Sequence, residues 1–127
     1  MKDIEWPDGV VEVTDATIEA FLDKYPYSVV QMSTSWCGPC RRLSPVIADL
    51  AVEFHGRVSF CKIDLGENPS TGEAFKVSAV PTVYFFKDGV DVHSITGFKP
   101  RDELSRLVER LLNGEFKEAS VDKGVQV

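Results

Sequence analysis

The sequence of 127 residues contains no long apolar run, few cysteines and no excess of basic charge. Its apolar stretches are only a few residues long, far short of the roughly 20 that cross a bilayer, so we expect no transmembrane segment. Fourteen basic and twenty acidic residues give a net charge of -6, which disfavours nucleic acids and anionic membranes as partners. The first residues include early acids and no apolar segment of an export signal, so we expect a cytoplasmic protein.

The composition is that of an ordinary globular protein, with 43% hydrophobic and 27% charged residues. The length corresponds to one domain, which we place at residues 1–114. Helical and strand periodicity ends there, and residues 115–127 are expected to form a mobile tail with Phe116 as a candidate anchor. Three cysteines, an odd number, argue against a structural disulfide framework.

Apolar spacing predicts strands that alternate with helices in the order βαβαβαββα. Strand and helix alternation implies parallel crossovers, and a closing hairpin adds antiparallel strands. The expected fold class is therefore α/β, with one mixed sheet flanked by helices on both faces. The predicted elements are a strand at 10–13, a helix capped by Thr14-Asp15, a strand at 27–32, a helix from Cys40 to Gly56, a strand at 58–63, a short helix at 69–75, a hairpin at 83–95 and a last helix opened by Pro100.

Two of the three cysteines stand three positions apart as Cys37-Gly38-Pro39-Cys40. Cys37 lies where a strand and loop lead into a helix, and the helix dipole and free backbone donors there favour a thiolate. A thiolate is the attacking species in disulfide exchange, and Cys40, one turn deeper, can reach back to release a mixed disulfide. The alternatives are half of a zinc site or an inert pair. Cys61, His55 and His93 supply no second ligand pair at suitable spacing, so no metal is expected.

The segment Trp36 to Cys40 resembles the active-site motif of the thioredoxin family, and the similarity extends over residues 10 to 112. Pro45 matches the proline inside the family's active-site helix, and the turn Lys87-Asp88-Gly89 matches the hairpin turn of the family. Val80-Pro81-Thr82 resembles the family segment whose proline is cis and faces the cysteines, and Gly97 resembles the family glycine beside the substrate groove. The resemblance implies a thioredoxin fold and a thiol-disulfide oxidoreductase with a redox-active disulfide between Cys37 and Cys40. It implies no bound cofactor.

The resemblance also implies a substrate-binding groove and a set of partners. The partners are protein disulfides and a reductase of the thioredoxin-reductase type that restores the dithiol, and we expect a monomer. The expected groove residues share apolar or small side chains and are Trp36, Gly38, Pro39, Val80, Pro81, Gly97 and Phe98.

One position departs from the family pattern. The family usually has a buried Asp six residues before the first cysteine, which takes the proton of the second cysteine through water, and this sequence has Gln31 there. An amide cannot accept that proton. Lys62 matches the lysine that normally pairs with this Asp, and it either tunes the site or extends its amine to solvent. Proton transfer at Cys40 is therefore expected to differ from that of the family.

Two other functions fit the motif. An oxidase or isomerase more often has a His between the cysteines, so Gly38-Pro39 favours a reductant. A binding module with an incidental redox pair is favoured only by Gln31. Cys61, in the middle of a strand, is expected to be a small buried hydrophobe.

Overall fold

The computed structural model describes residues 4–116 of the chain. The strands and helices follow the predicted order βαβαβαββα. They are β1 (Val11–Glu12), α1 (Ile18–Lys24), β2 (Tyr27–Ser33), α2 (Gly38–Glu53), β3 (Ser59–Asp64), α3 (Pro69–Ala74), β4 (Thr82–Lys87), β5 (Val90–Thr96) and α4 (Arg101–Leu112).

The five strands form one mixed sheet in the order β1-β3-β2-β4-β5. β3 runs parallel to both β1 and β2, while β4 is antiparallel to β2 and to β5. The central strand β2 pairs Gln31 with Lys62 on one side and with Val83 on the other. Because β2 and β3 are parallel, their carboxyl ends lie at the same edge of the sheet. The predicted mixed sheet is confirmed.

Alternate residues of the central strands point into two different cores. Val29 packs with apolar side chains of α2 and α4, whereas its neighbour Val30 packs with Ile18 and Leu22 of α1. This alternation follows from the period of two along a strand. The helices therefore cover both faces of the sheet, with α2 and α4 on one face and α1 on the other, as predicted.

The connection between β4 and β5 is a tight hairpin turn. Asp88 has a φ of 52° and Gly89 a φ of 80°, so both residues adopt left-handed backbone conformations. Two successive positive φ values match the right-handed twist of the flanking strands, and Asp-Gly is a favoured pair for such a turn. The hairpin predicted from Lys87-Asp88-Gly89 is thus present.

The prediction that Asp15 helps to cap the first helix is wrong. Its carboxylate accepts hydrogen bonds from the backbone N–H of Ser70 and Thr71, at 3.1 and 2.9 Å, at the start of α3. The side chain of Asn68 accepts in return from the N–H of Asp15 at 2.9 Å. A short aspartate caps whichever unpaired helix N–H groups the tertiary fold brings to it, and here these belong to α3.

Phe116 is anchored, which agrees with its role as a candidate anchor. Its ring stacks on His93 with a centroid distance of 4.3 Å, and Arg110 lies 4.8 Å above it. The rest of the predicted tail, residues 117–127, lies outside the described residues. Between residues 4 and 116, no helix is long and apolar enough to cross a membrane.

Candidate active site

Cys37 and Cys40 are joined as a disulfide at the amino-terminal end of α2. Cys37 is the N-cap residue of this helix, and its sulfur accepts a hydrogen bond from the backbone N–H of Cys40 at 3.1 Å. Pro39 in the first turn lacks only an N–H that would otherwise have no helical partner. Cys37 is partly exposed whereas Cys40 is 3% exposed, which agrees with the expectation that Cys40 lies one turn deeper in the helix.

The segment before β4 lies against the disulfide. The Sγ atom of Cys37 is 3.8 Å from the carbonyl oxygen of Val80, and the peptide bond between Val80 and Pro81 is cis, as expected. The N–H of Gly97, which has a φ of 93°, donates to the carbonyl of Pro81 at 2.8 Å. The structure therefore brings Val80, Pro81 and Gly97 together beside Cys37.

Trp36 and Phe98 are both exposed, but they lie against different parts of the molecule. Trp36 is 72% exposed and packs against Gly66, where an added Cβ would lie only 2.8 Å from the ring. Phe98 is 36% exposed, and its ring lies 5.2 Å from the guanidinium carbon of Arg42 on α2. Between the two cysteines, Gly38 is partly exposed and Pro39 is exposed. Of the seven predicted groove residues, Val80, Pro81 and Gly97 thus lie together beside Cys37, whereas the rings of Trp36 and Phe98 contact Gly66 and Arg42.

Polar side chains occupy the part of the sheet beneath the first turns of α2. Gln31 is paired in register with Lys62 of β3, and Lys62 is paired with Glu12 of β1. Register partners point to the same face of a sheet, so these three side chains form a row on the face that carries α2. Asp64 lies two residues beyond Lys62, opposite Ser33, and its side chain is on the same face. We call Glu12, Gln31, Ser33, Lys62 and Asp64 the polar corner.

Gln31 is 1% exposed and contacts the active-site helix. Its Nε2 lies 3.4 Å from the carbonyl of Cys40 and 3.4 Å from the Ser44 hydroxyl, while its Oε1 is buried with no hydrogen-bond partner among the described residues. The Thr34 hydroxyl is likewise buried without a partner. Buried oxygens of this kind are normally satisfied by water.

A pocket of about 270 Å³ adjoins these groups. Its polar lining provides room and hydrogen-bond partners for water next to the buried Cys40. The residues that line it are Glu12, Ser33, Thr34, Ser35, Cys40, Arg41, Ser44, Lys62 and Asp64.

The third cysteine does not take part in the site. Cys61 is fully buried on the opposite face of β3, and burial raises the pKa of its thiol well above the usual range. A thiol of this kind is inert in exchange. Among residues 4–116, no group of three or more His, Cys, Asp or Glu side chains is arranged to hold a metal ion.

Sequence reasoning missed several residues around the disulfide, namely Glu12, Ser44, Asp64, Gly66 and Arg42. Glu12 and Asp64 could have been found from the period of two along the strands, had the register between the strands been known. Ser44 stands four residues after Cys40 and so lies on the same helix face. The contact between Arg42 and Phe98 has no local signal because it joins distant segments.

Comparisons with known proteins agree with this geometry. The sequence model of the thioredoxin family matches residues 9–110. A thioredoxin of Staphylococcus aureus is 35% identical over 104 residues, covering 82% of this chain and 99% of the relative, and one of Staphylococcus saprophyticus is 36% identical with the same coverage. A mutant thioredoxin from Halobacterium salinarum has a similar structure, with a TM-score of 0.79 at 29% identity, covering 85% of this chain and 95% of that chain. The chain therefore belongs to the thioredoxin family of thiol-disulfide oxidoreductases.

Proposed function

We propose that this chain reduces protein disulfides, with Cys37 as the attacking thiol and Cys40 as the resolving thiol. The observation that carries the proposal is the unequal placement of the two sulfurs. Cys37 is partly exposed at the N-cap of α2, whereas Cys40 is 3% exposed one turn inside the helix. A target sulfur can reach Cys37 directly, but it cannot reach Cys40.

The helix start favours the reactive form of Cys37. The backbone N–H of Cys40 points at its sulfur from 3.1 Å, and the positive end of the helix dipole lies at the same place. Both interactions stabilise a thiolate relative to a thiol in the reduced protein. Cys37 is thus prepared to attack at neutral pH.

The exchange proceeds in two balanced steps. The Cys37 thiolate attacks one sulfur of the target disulfide, and the other target sulfur leaves with the electron pair and takes up a proton. Cys40 then loses its proton and attacks Cys37, and the first target sulfur leaves as a thiolate. Two electrons pass to the target, and the Cys37–Cys40 disulfide forms. Because the Cα atoms of the two cysteines are 5.2 Å apart, ring closure needs little backbone movement.

The groove beside Cys37 supplies a docking site for the target. None of the described residues forms a backbone–backbone hydrogen bond with Val80, so its peptide groups can pair with an extended target segment. Pro81 and Gly97 hold this segment through their hydrogen bond of 2.8 Å. Trp36, Gly38, Pro39 and Phe98 would provide apolar or small surface around it.

Gln31 and Lys62 would act on the second step rather than the first. Gln31 contacts the turn that carries Cys40 and offers an unpartnered amide oxygen, which can hold a water but cannot take a proton. Lys62 lines the same pocket as Cys40. The proton of Cys40 would leave through water in this pocket, and the rate of resolution should rise with pH as Cys40 ionises.

Gly38-Pro39 favours a reductant over an oxidase or isomerase, because this pair adds no charge that would stabilise the reduced form. The dithiol would be restored by a reductase of the thioredoxin-reductase type. We further propose that the chain acts as a monomer in the cytoplasm, and this proposal rests on its membership of the thioredoxin family.

The test is a protein-disulfide reduction assay with a recycling reductant. We expect Cys37→Ser to abolish activity and Cys40→Ser to accumulate a covalent complex with the target, because the mixed disulfide is no longer released. Cys61→Ser is the matched control and should retain activity, since Cys61 is buried away from the site. An active Cys37→Ser variant, or a trapped complex on Cys40, would overturn the assignment of roles.

A further inference from the structure

The rim of the groove carries a cation that none of the steps above uses. Arg42 is exposed on α2, and its guanidinium carbon lies 5.2 Å from the ring centroid of Phe98. Phe98 follows Gly97, whose N–H bonds to Pro81 next to the Cys37 sulfur. A series of contacts therefore leads from Arg42 through Phe98 and Gly97 to the segment whose Val80 carbonyl lies 3.8 Å from the Cys37 sulfur.

Arg42 has no carboxylate partner within the part of the chain that the structure describes, although the protein is acidic. Arg101 and Arg110 do have such partners, Glu53 at 2.8 Å and Glu115 at 3.2 Å. With twenty acidic residues in the sequence, an unpaired arginine at the edge of the groove provides positive charge where a target would bind. Arg41 adds charge of the same sign on the other side, where it donates to the carbonyl of Ser35 at 3.1 Å.

The stacked position also prepares Arg42 for a specific partner. A guanidinium that lies over an aromatic face keeps the N–H groups at its edge available for hydrogen bonds. These groups match the two oxygens of a carboxylate, and the stack reduces the side-chain freedom that binding would remove.

The position of Arg42 relative to Cys37 indicates where in the target sequence an acidic residue would lie. Arg42 is five residues beyond Cys37 along α2, which corresponds to a rise of about 7.5 Å. For an extended target that lies along α2 and advances about 3.3 Å per residue, this backbone rise corresponds to about two residues. We infer that Arg42, stacked on Phe98, binds a Glu or Asp of the target protein about two residues from the target cysteine. This inference names a substrate class for the proposed reductase and rests on that function.

The test uses symmetric disulfide-linked peptide dimers that carry Glu, Gln or Lys on both sides of the cysteine at a distance of two residues. The second-order rate with the reduced protein is divided by the rate of the same peptide with dithiothreitol, which removes differences in intrinsic reactivity. We expect the normalised Glu peptide to react about 2- to 5-fold faster than the Gln peptide at low salt, as for an exposed ion pair, and the Lys peptide to react more slowly. The preference should disappear near about 1 M salt, where charges are screened within ~3 Å.

Arg42→Met is the decisive variant because it keeps an unbranched apolar stem over Phe98 and removes the charge. Arg57→Met is its matched control, since Arg57 is stacked on Phe54 at 4.8 Å beyond the other end of α2, a helix of 16 residues or about 24 Å. Both variants change the net charge by the same amount. We expect the ratio of the normalised Glu and Gln peptide rates to fall to about 1 in Arg42→Met and to remain unchanged in Arg57→Met.

Arg42→Lys separates charge from geometry. The ammonium keeps the charge but has no planar pair of donors, so the preference should be intermediate. Equal rates for the Glu and Gln peptides in the unaltered protein, or an unchanged preference in Arg42→Met, would overturn the inference while leaving the reductase function intact. Failure to reduce any of the peptides would instead count against the proposed function.

Discussion

Replacement of Gln31 by Asp restores the carboxyl group that the family usually has at this position. The structure allows an estimate of how much the replacement lowers the free energy of unfolding. Gln31 is 1% exposed, so the introduced carboxylate loses almost all of its hydration. It also loses the two contacts of 3.4 Å that Nε2 makes with Cys40 and Ser44. Lys62, its register neighbour, offsets part of the charge penalty.

Gln31→Asn is the matched control, because it shortens the side chain equally and adds no charge. When folding raises the pKa of a carboxyl by one unit, the protein loses about 1.4 kcal/mol of stability at a pH where the carboxyl is ionised in the unfolded and folded states. For a buried carboxyl with one partial partner, we expect Gln31→Asp to be about 3 kcal/mol less stable than Gln31→Asn at pH 8. A domain with about 5 to 15 kcal/mol of stability survives this loss.

The sign of the pH dependence makes the test sharp. Burial raises the pKa of the introduced carboxyl in the folded state, so the folded protein binds more protons than the unfolded chain and stability falls as pH rises. The difference between the Asp and Asn variants should therefore be larger at pH 8 than at pH 5. Urea unfolding of the oxidised proteins measures it, since Cys37 and Cys40 do not titrate in the disulfide. A difference that is the same at both pH values would refute the reasoning.

The same variant bears on the rate of resolution, and three further predictions concern other groups. Gln31→Asp should accelerate the attack of Cys40 on the mixed disulfide near neutral pH by less than about 10-fold, because water already provides a path for the proton of Cys40. Stopped-flow traces measure this rate, and the same pH profile in wild type and variant would contradict the prediction. Limiting iodoacetamide should label Cys37 of the reduced protein before Cys40, and the reverse order would exchange their roles. The reduction potential, measured by equilibration with glutathione, should be about -270 mV. A measured potential of about -120 mV would instead indicate an oxidant. Desolvation alone would raise the pKa of Asp15, but hydrogen bonds from Thr71 and Ser70 lower it below 3.8. Its contribution to stability should be present above pH 3.8 and lost as pH falls further, so wild type and Asp15→Asn should converge in acid unfolding.

The order of strands and helices was predictable because it depends on local signals. Apolar spacing distinguishes strands from helices, and the pair Asp88-Gly89 marks a turn that few other residues can form. Such signals depend on residues that are close in the sequence, so they can be recognised without knowledge of the fold. The position of Cys37 at a helix start follows from the same local reasoning.

The contacts that were not predictable join segments far apart in the sequence. Asp15 was expected to cap the helix next to it, but the fold brings it to Thr71, 56 residues away. The stack of Arg42 on Phe98 also joins two separate segments. Neither the propensity of a residue nor its spacing carries information about such a partner, which is set by strand register and helix packing.

The polar corner shows how the chain tolerates a lysine without the aspartate that usually pairs with it. With Gln31 in the row, the nearest carboxylate on the same row is Glu12, directly opposite Lys62 on the edge strand β1. Glu12 is exposed whereas Gln31 is buried, so the negative charge of this row lies at the rim of the sheet and not in its interior. A rim carboxylate keeps most of its hydration, and folding therefore avoids the desolvation of a buried charge. Because the amide of Gln31 cannot accept a proton, we propose that the resolving thiol loses its proton to water in the pocket that Cys40 shares with Glu12 and Lys62.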